Sequence, residues 1–150
     1  MNLKLKTQKR QAEIKFSDGH SICGHFFISP HPTGLAGSEN VIELLNDDRS
    51  FTPFKIAEGQ ISLLQKESIT MVRMAISEMP KDLPYQSRTF AKVYLLSGNI
   101  LEGYVFIDLP KTHTRLSDFL NFSKRFFFIE VDEQDFLVNT KFVKMVMPGL

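Results

Sequence analysis

Two groups of basic residues, each beside an asparagine, are where this chain has the means to do chemistry. Lys111, His113, Arg115, Lys124 and Arg125 surround Asn121, and His31 and Arg49 flank Asn46. Cationic side chains of this kind hold phosphates by charge-assisted hydrogen bonds, and Phe122 offers a ring face on which a base can stack. The chemistry so described is the binding of single-stranded RNA. An ordinary solvated loop has the same composition, however, and a formal net charge of +1 over 150 residues supplies no global field to steer the chain onto a polyanion. Lys4, Lys6, Lys9, Arg10 and Lys15 make the N-terminus locally basic, either as a further nucleic-acid contact or as a solvated lead-in.

Other chemistries have less in their favour. Cys23 and His25 fall on one face of an alternating segment, with His20 and His31 near in sequence, but neither a CxxC nor an HxxxH spacing occurs. No metal and no cofactor are expected. There is no P-loop, GxGxxG, GxSxG or paired-carboxylate motif, so the expectation is a protein that is not an enzyme. Asp132, Glu133 and Asp135 read as a solvated corner. A single cysteine excludes an intrachain disulfide, and no apolar run approaches the roughly 18 residues needed to span a bilayer. A cytoplasmic location without a membrane partner is expected.

The elements that must position these residues come from an internal duplication. Residues 12–28, AEIKFSDGHSICGHFFI, register on residues 91–107, AKVYLLSGNILEGYVFI, with Ile14, Phe16, Gly19, Ile22, Gly24 and Ile28 falling on Val93, Leu95, Gly98, Leu101, Gly103 and Ile107. The match resumes with Leu45, Asn46 and Phe51 on Leu120, Asn121 and Phe126, and with residues 69–72 on 143–146. Residues 1–74 therefore form a first unit and 90–150 a second, with 75–89 as linker, since that stretch carries Pro80, Pro84, Lys81, Asp82 and Ser87. A unit of about 60 residues is marginal alone, so the two are expected to pack together.

Within each unit the alternation of apolar and polar residues predicts strands. Asp18-Gly19 and Gly98-Asn99 predict tight hairpin turns, where glycine takes positive φ without steric penalty. Glycine inside the next strand marks a sharp bend, a bulge or a close backbone approach, and because a small barrel needs a strongly bent strand to close, Gly24 and Gly103 read as barrel corners. After a loop, residues 41–45 and 116–120 carry helical spacing, with Ser38 and Thr114 as expected N-caps. Residues 126–131, FFFIEV, are apolar on both faces and need cover on both, whereas Pro53 should shorten residues 51–56 or place them at an edge. Each unit closes with two strands, at 60–64 and 68–73 and at 135–138 and 142–147, turning at Lys66-Glu67 and Thr140-Lys141. The first 11 residues are polar and allow a frayed end, a strand or a helix.

This order resembles the Sm-like fold shared by Sm proteins, archaeal Lsm proteins and Hfq. Residues 93–108, V-x-L-x-S-G-N-x-L-x-G-x-V-F-x-D, resemble its first motif, and residues 136–146, FLVNTKFVKMV, its second. The resemblance implies a mostly β chain of two tandem small barrels with short helical segments in the inserted loops. It also implies a homo-oligomeric ring in which edge strands continue from barrel to barrel, a trimer of tandem chains being the natural closure. The outer edges expected to pair are residues 51–56 or 126–131 with 68–73 or 142–147. The family's RNA-contacting set does not transfer residue for residue. Asp108 is separated from Asn121 by an insertion, the first unit has Ser29 and Asn46, and the Arg-Gly pair is replaced by Asn139-Thr140 and Gln65-Lys66. A partner-binding scaffold without an RNA site is the alternative function.

Overall fold

The alternating segments all become strands of one sheet. The computed structural model describes residues 7–29, 40–78, 87–107, 116–122 and 125–149. In chain order the elements are β1 (Gln8–Phe16), β2 (Ser21–Ile28), α1 (Val41–Asn46), β3 (Phe51–Ile56), β4 (Ile61–Gln65), β5 (Ile69–Met74), β6 (Ser87–Leu95), β7 (Ile100–Ile107), α2 (Leu116–Phe122), β8 (Phe126–Val131), β9 (Gln134–Asn139) and β10 (Val143–Pro148). The chain is thus mostly β with two short helices. The antiparallel sheet has ten strands in the order β10-β6-β7-β8-β9-β5-β1-β2-β3-β4, and it is not closed, because β10 and β4 stand at opposite ends.

The duplication is visible residue by residue in the pairing. Ala12 faces Gly24 and Ile14 faces Ile22 in the first hairpin; Ala91 faces Gly103 and Val93 faces Leu101 in the second. The last strand of each unit folds back on its first, with Val72 opposite Ile14 and Val146 opposite Val93, and both ladders shift register at the corresponding place. Gly19 and Gly98 take φ of 90° and 97° in the turns expected for them. The two units join edge to edge: β5 pairs with β9, setting Met71, Val72 and Arg73 against Val138, Leu137 and Phe136.

Gly24 and Gly103 are required by a close backbone approach. A Cβ on Gly24 would collide with the carbonyl oxygen of Lys55 in β3, and one on Gly103 with that of Glu130 in β8. At these points β2 and β7 pass against the third strand of their unit with no room between.

Alternation also sorts the core into two clusters. One holds Ile14, Phe26, Ile28, Leu45, Phe54, Ile69 and Val72 of the first unit, together with Phe106, Phe126, Phe128 and Leu137 of the second. The other lies within the second unit, around Val93, Leu95, Val105, Ile107, Phe127, Ile129 and Val138, with Met71 packed against it. β8 therefore sends alternate side chains into each cluster, which explains why its sequence is apolar on both faces.

Several expectations need correction. β3 is six residues long, like β8, and lies between β2 and β4. β2 pairs only with Phe54, Lys55 and Ile56, so Pro53 falls in the half of β3 bonded to β4 alone, where it interrupts no second ladder. The outer edges are β4 and β10; β3, β8 and β5 are interior, because a hairpin partner covers each third strand and β9 occupies the outer side of β5. Asn40, not Ser38, caps α1, its side chain accepting from Glu43 N at 3.0 Å. Ser38 and Thr114 lie outside the described residues. The N-terminal segment is strand from Gln8, and β6 begins at Ser87, inside the stretch read as linker.

Candidate functional site

Of the residues singled out by their chemistry, the described ones, Asn46, Arg49, Asn121 and Arg125, lie on the helices or between them and the third strands, and Arg49 and Arg125 stand beside the two closing turns, short 3-10 segments at Lys66–Ser68 and Thr140–Phe142. The backbone there is the same twice. Lys66 N donates to Ser50 O at 2.9 Å and Thr140 N to Arg125 O at 2.8 Å, tying each turn to the residue before its third strand. The side chains differ, and so does the chemistry.

In the first unit Lys66 is fully buried and its amine donates to the Leu44 carbonyl at 2.6 Å, satisfying an otherwise orphaned acceptor near the end of α1. The amine also ion-pairs with Asp47, which in turn accepts from Arg49 Nη2 at 2.7 Å. Burial pushes the Asp47 carboxyl up, but the hydrogen bonds from Arg49 and Lys66 outweigh it and hold the pKa at about 2. The same partnership raises Arg49. Both cations are thus committed to Asp47, and an incoming phosphate would have to compete with a carboxylate already in place.

In the second unit Thr140 stands in the place of Lys66, its hydroxyl donating to Arg125 O at 3.2 Å. Beside it is a pocket of about 330 Å³ lined by Glu67, Arg125, Asn139, Thr140 and Lys141. Arg125 Nη1 is buried with no hydrogen-bond partner among the described residues. Lys141 Nζ lies 3.7 Å from Glu67 Oε2, across the boundary between the units. Asn139 is fully engaged: its amide donates to Ile69 O at 2.9 Å and its oxygen accepts from Lys141 N at 3.0 Å. The site offers two cations and one opposing carboxylate, a charge set suited to a single small anion.

Asn46 serves the junction between the units. Its side-chain amide donates to Phe126 O at 3.0 Å and its oxygen accepts from Phe126 N at 2.7 Å, a two-bond clamp on the start of β8. Asn121, its counterpart, is exposed on α2. Of the predicted residues, then, Arg125 reaches the pocket, Arg49 sits on Asp47, and Asn46 and Asn121 occupy equivalent positions in different surroundings. His31, Lys111, His113, Arg115 and Lys124 lie outside the described residues, as does the side chain of Phe122. Lys141, Asn139 and Glu67 were missed. The signal for them was the pair of closing turns at Lys66-Glu67 and Thr140-Lys141, but that Glu67 meets Lys141 follows from the β5–β9 pairing, which no local pattern announces.

A second concavity, of about 760 Å³, includes Glu13, Cys23, His25, Lys55 and Arg73 in its lining. His25 Nε2 is buried without a partner among the described residues, and burial, aided by Lys9 and Lys55, lowers its pKa and favours the neutral ring. Among the described residues no three metal-ligating side chains converge, and no helix is long and apolar enough to cross a membrane. The chain matches no protein-family profile, no curated protein and no solved structure.

Proposed function

We propose that this chain is a non-catalytic oligomeric protein built of two tandem Sm-like units, acting as an assembly scaffold whose copies join head to tail. One observation carries the proposal: the surface that the second unit buries against the first reappears, uncovered, on the first unit. Phe126 and Leu137 are 2% and 0% exposed at the internal junction, whereas their counterparts Phe51 and Leu63 are 52% and 68% exposed. At the other end Met145 and Met147 of β10, the counterparts of Met71 and Arg73, are 45% and 46% exposed. Apolar residues on an unpaired edge strand are an aggregation hazard unless a partner covers them. A contact between two different surfaces repeats from copy to copy and gives a ring where the rotation closes; a ring of three chains is the closure that the resemblance to the Sm-like fold implies. Size-exclusion chromatography with light scattering tests it. A single species of about three chain masses is expected, and a monodisperse monomer at tens of micromolar overturns the proposal.

A second function, RNA binding by the same assembly, is favoured by Arg125, which lines a pocket with Lys141 and whose buried Nη1 has no hydrogen-bond partner among the described residues. Titration of the protein with fluorescently labelled mixed-sequence single-stranded RNA is expected to give saturable binding that weakens with salt by a slope of about −0.7 per phosphate contact. Absence of saturable binding at low salt removes RNA and leaves the scaffold.

A further inference from the structure

The joint between successive copies can be specified atom by atom, because the internal junction is a worked example of it. We infer, resting on the assembly proposed above, that β4 of one copy pairs with β10 of the next in the register of β9 on β5, clamped by Asn121 and lined by alternating Glu67 and Lys141. Transferring the observed pairs Met71–Val138, Val72–Leu137 and Arg73–Phe136 through the duplication sets Met145, Val146 and Met147 of one copy against Leu64, Leu63 and Ser62 of the other. Leu64 faces its own core, as Val138 does, and Leu63 faces outward, as Leu137 does toward the first unit. The inside-outside phase of β4 is therefore already that of a strand awaiting this neighbour.

Two polar features fit the same transfer. Asn46 clamps the backbone of Phe126 with two hydrogen bonds. Its counterpart Asn121 is exposed on α2, and the counterpart of Phe126 is Phe51, exposed at the start of β3. Across the joint, Asn121 of one copy closes on the Phe51 backbone of the next. The turns behave similarly. Within the chain Glu67 meets Lys141 at 3.7 Å. Glu67 and Lys141 are themselves counterparts, so at the outer joint the roles exchange and Glu67 again meets Lys141, now of the adjacent copy. Each Glu67 then lies between two lysines and each Lys141 between two glutamates, a closed circuit of alternating charge where like residues would repel.

Three measurements test this. In a Cys23→Ser background, Leu63→Cys with Val146→Cys should form interchain disulfides on mild oxidation, since directly opposed residues of an antiparallel pair lie within disulfide reach; Ile61→Cys with Val146→Cys should not. Asn121→Ala should weaken assembly about tenfold, the worth of a hydrogen-bonded contact, while leaving the melting of the dilute chain unchanged. Lys141→Glu should dissociate the oligomer, and Glu67→Lys added to it should restore assembly with the charges exchanged. An oligomer of the expected mass that fails the Leu63/Val146 cross-link overturns the register while the assembly stands. A monomer overturns both.

Discussion

Phe126 and Phe51 occupy the same position in two copies of one fold, and their fates are opposite. Phe126 is clamped by Asn46 and enclosed by the core of the first unit; Phe51 lies open on the outer side of β3. The same contrast holds for Leu137 and Leu63. The strands, turns and ladders around them are equivalent, so the difference comes from the neighbour: β9 has β5 on its outer side, whereas the outer side of β4 has no strand among the described residues. A residue's environment in a repeat protein depends on the copy next to it as much as on its own unit.

The largest expected effect breaks this contrast directly. Phe126→Ala should destabilise the monomeric chain by about 3–5 kcal/mol, the usual cost of emptying an aromatic site in a core. Phe51→Ala should change it by about 0.5 kcal/mol or less, as at other surface positions. Urea denaturation of both variants, at a concentration where light scattering reports monomer, measures the difference. Equal losses would mean that Phe51 is covered within the chain.

Much of the fold was legible in the sequence because its signals are local. Alternation marked the strands, Asp18-Gly19 and Gly98-Asn99 the hairpins, and the matched segments the equivalence of the two units, which the structure shows in pairs such as Ala12–Gly24 and Ala91–Gly103. One outer edge, residues 142–147, was placed rightly as β10, and the other was misplaced because edge status depends on strand order, which periodicity does not encode. β3 carries a proline and resembles an edge strand, yet hairpin geometry puts β4 outside it. The candidate site was less legible still. Asn46 has the residue type of an RNA contact, but its use as a clamp on Phe126 depends on a neighbour far away in sequence. Lys66 likewise has the charge of a phosphate ligand, and only its burial against Leu44 and Asp47 reveals its use within the unit.

Where the two units are alike, they should fail alike. Gly103→Val places a branched side chain against the Glu130 carbonyl and Gly24→Val one against Lys55, with no flexible group able to yield. Each substitution should cost about 3 kcal/mol or more, the range of a severe overpacking change, and by similar amounts. Chemical denaturation of the pair checks it. Near-native stability of either variant would mean that β2 or β7 can draw away from its neighbour, and that the close approach is not required.

The smallest effect concerns the turns, and it separates the units by pH. Asp47 supports Lys66 in the first unit, whereas the second has the neutral Thr140 hydroxyl at that place. The folded pKa of Asp47, about 2, lies below its ordinary 3.8, so the folded state favours the carboxylate. A depressed pKa contributes stability that is present above the ordinary value and is lost as the pH falls through the folded one. The window therefore runs from about pH 4 down to pH 2, and the shift corresponds to about 2 kcal/mol. Asp47→Asn cannot titrate there. The gap in unfolding free energy between the wild type and this variant should narrow by about that amount between pH 5 and pH 2.5, as read from urea denaturation at each pH. A gap that stays constant would place the acid sensitivity of the chain elsewhere and would mean that Lys66 is held by the Leu44 carbonyl alone.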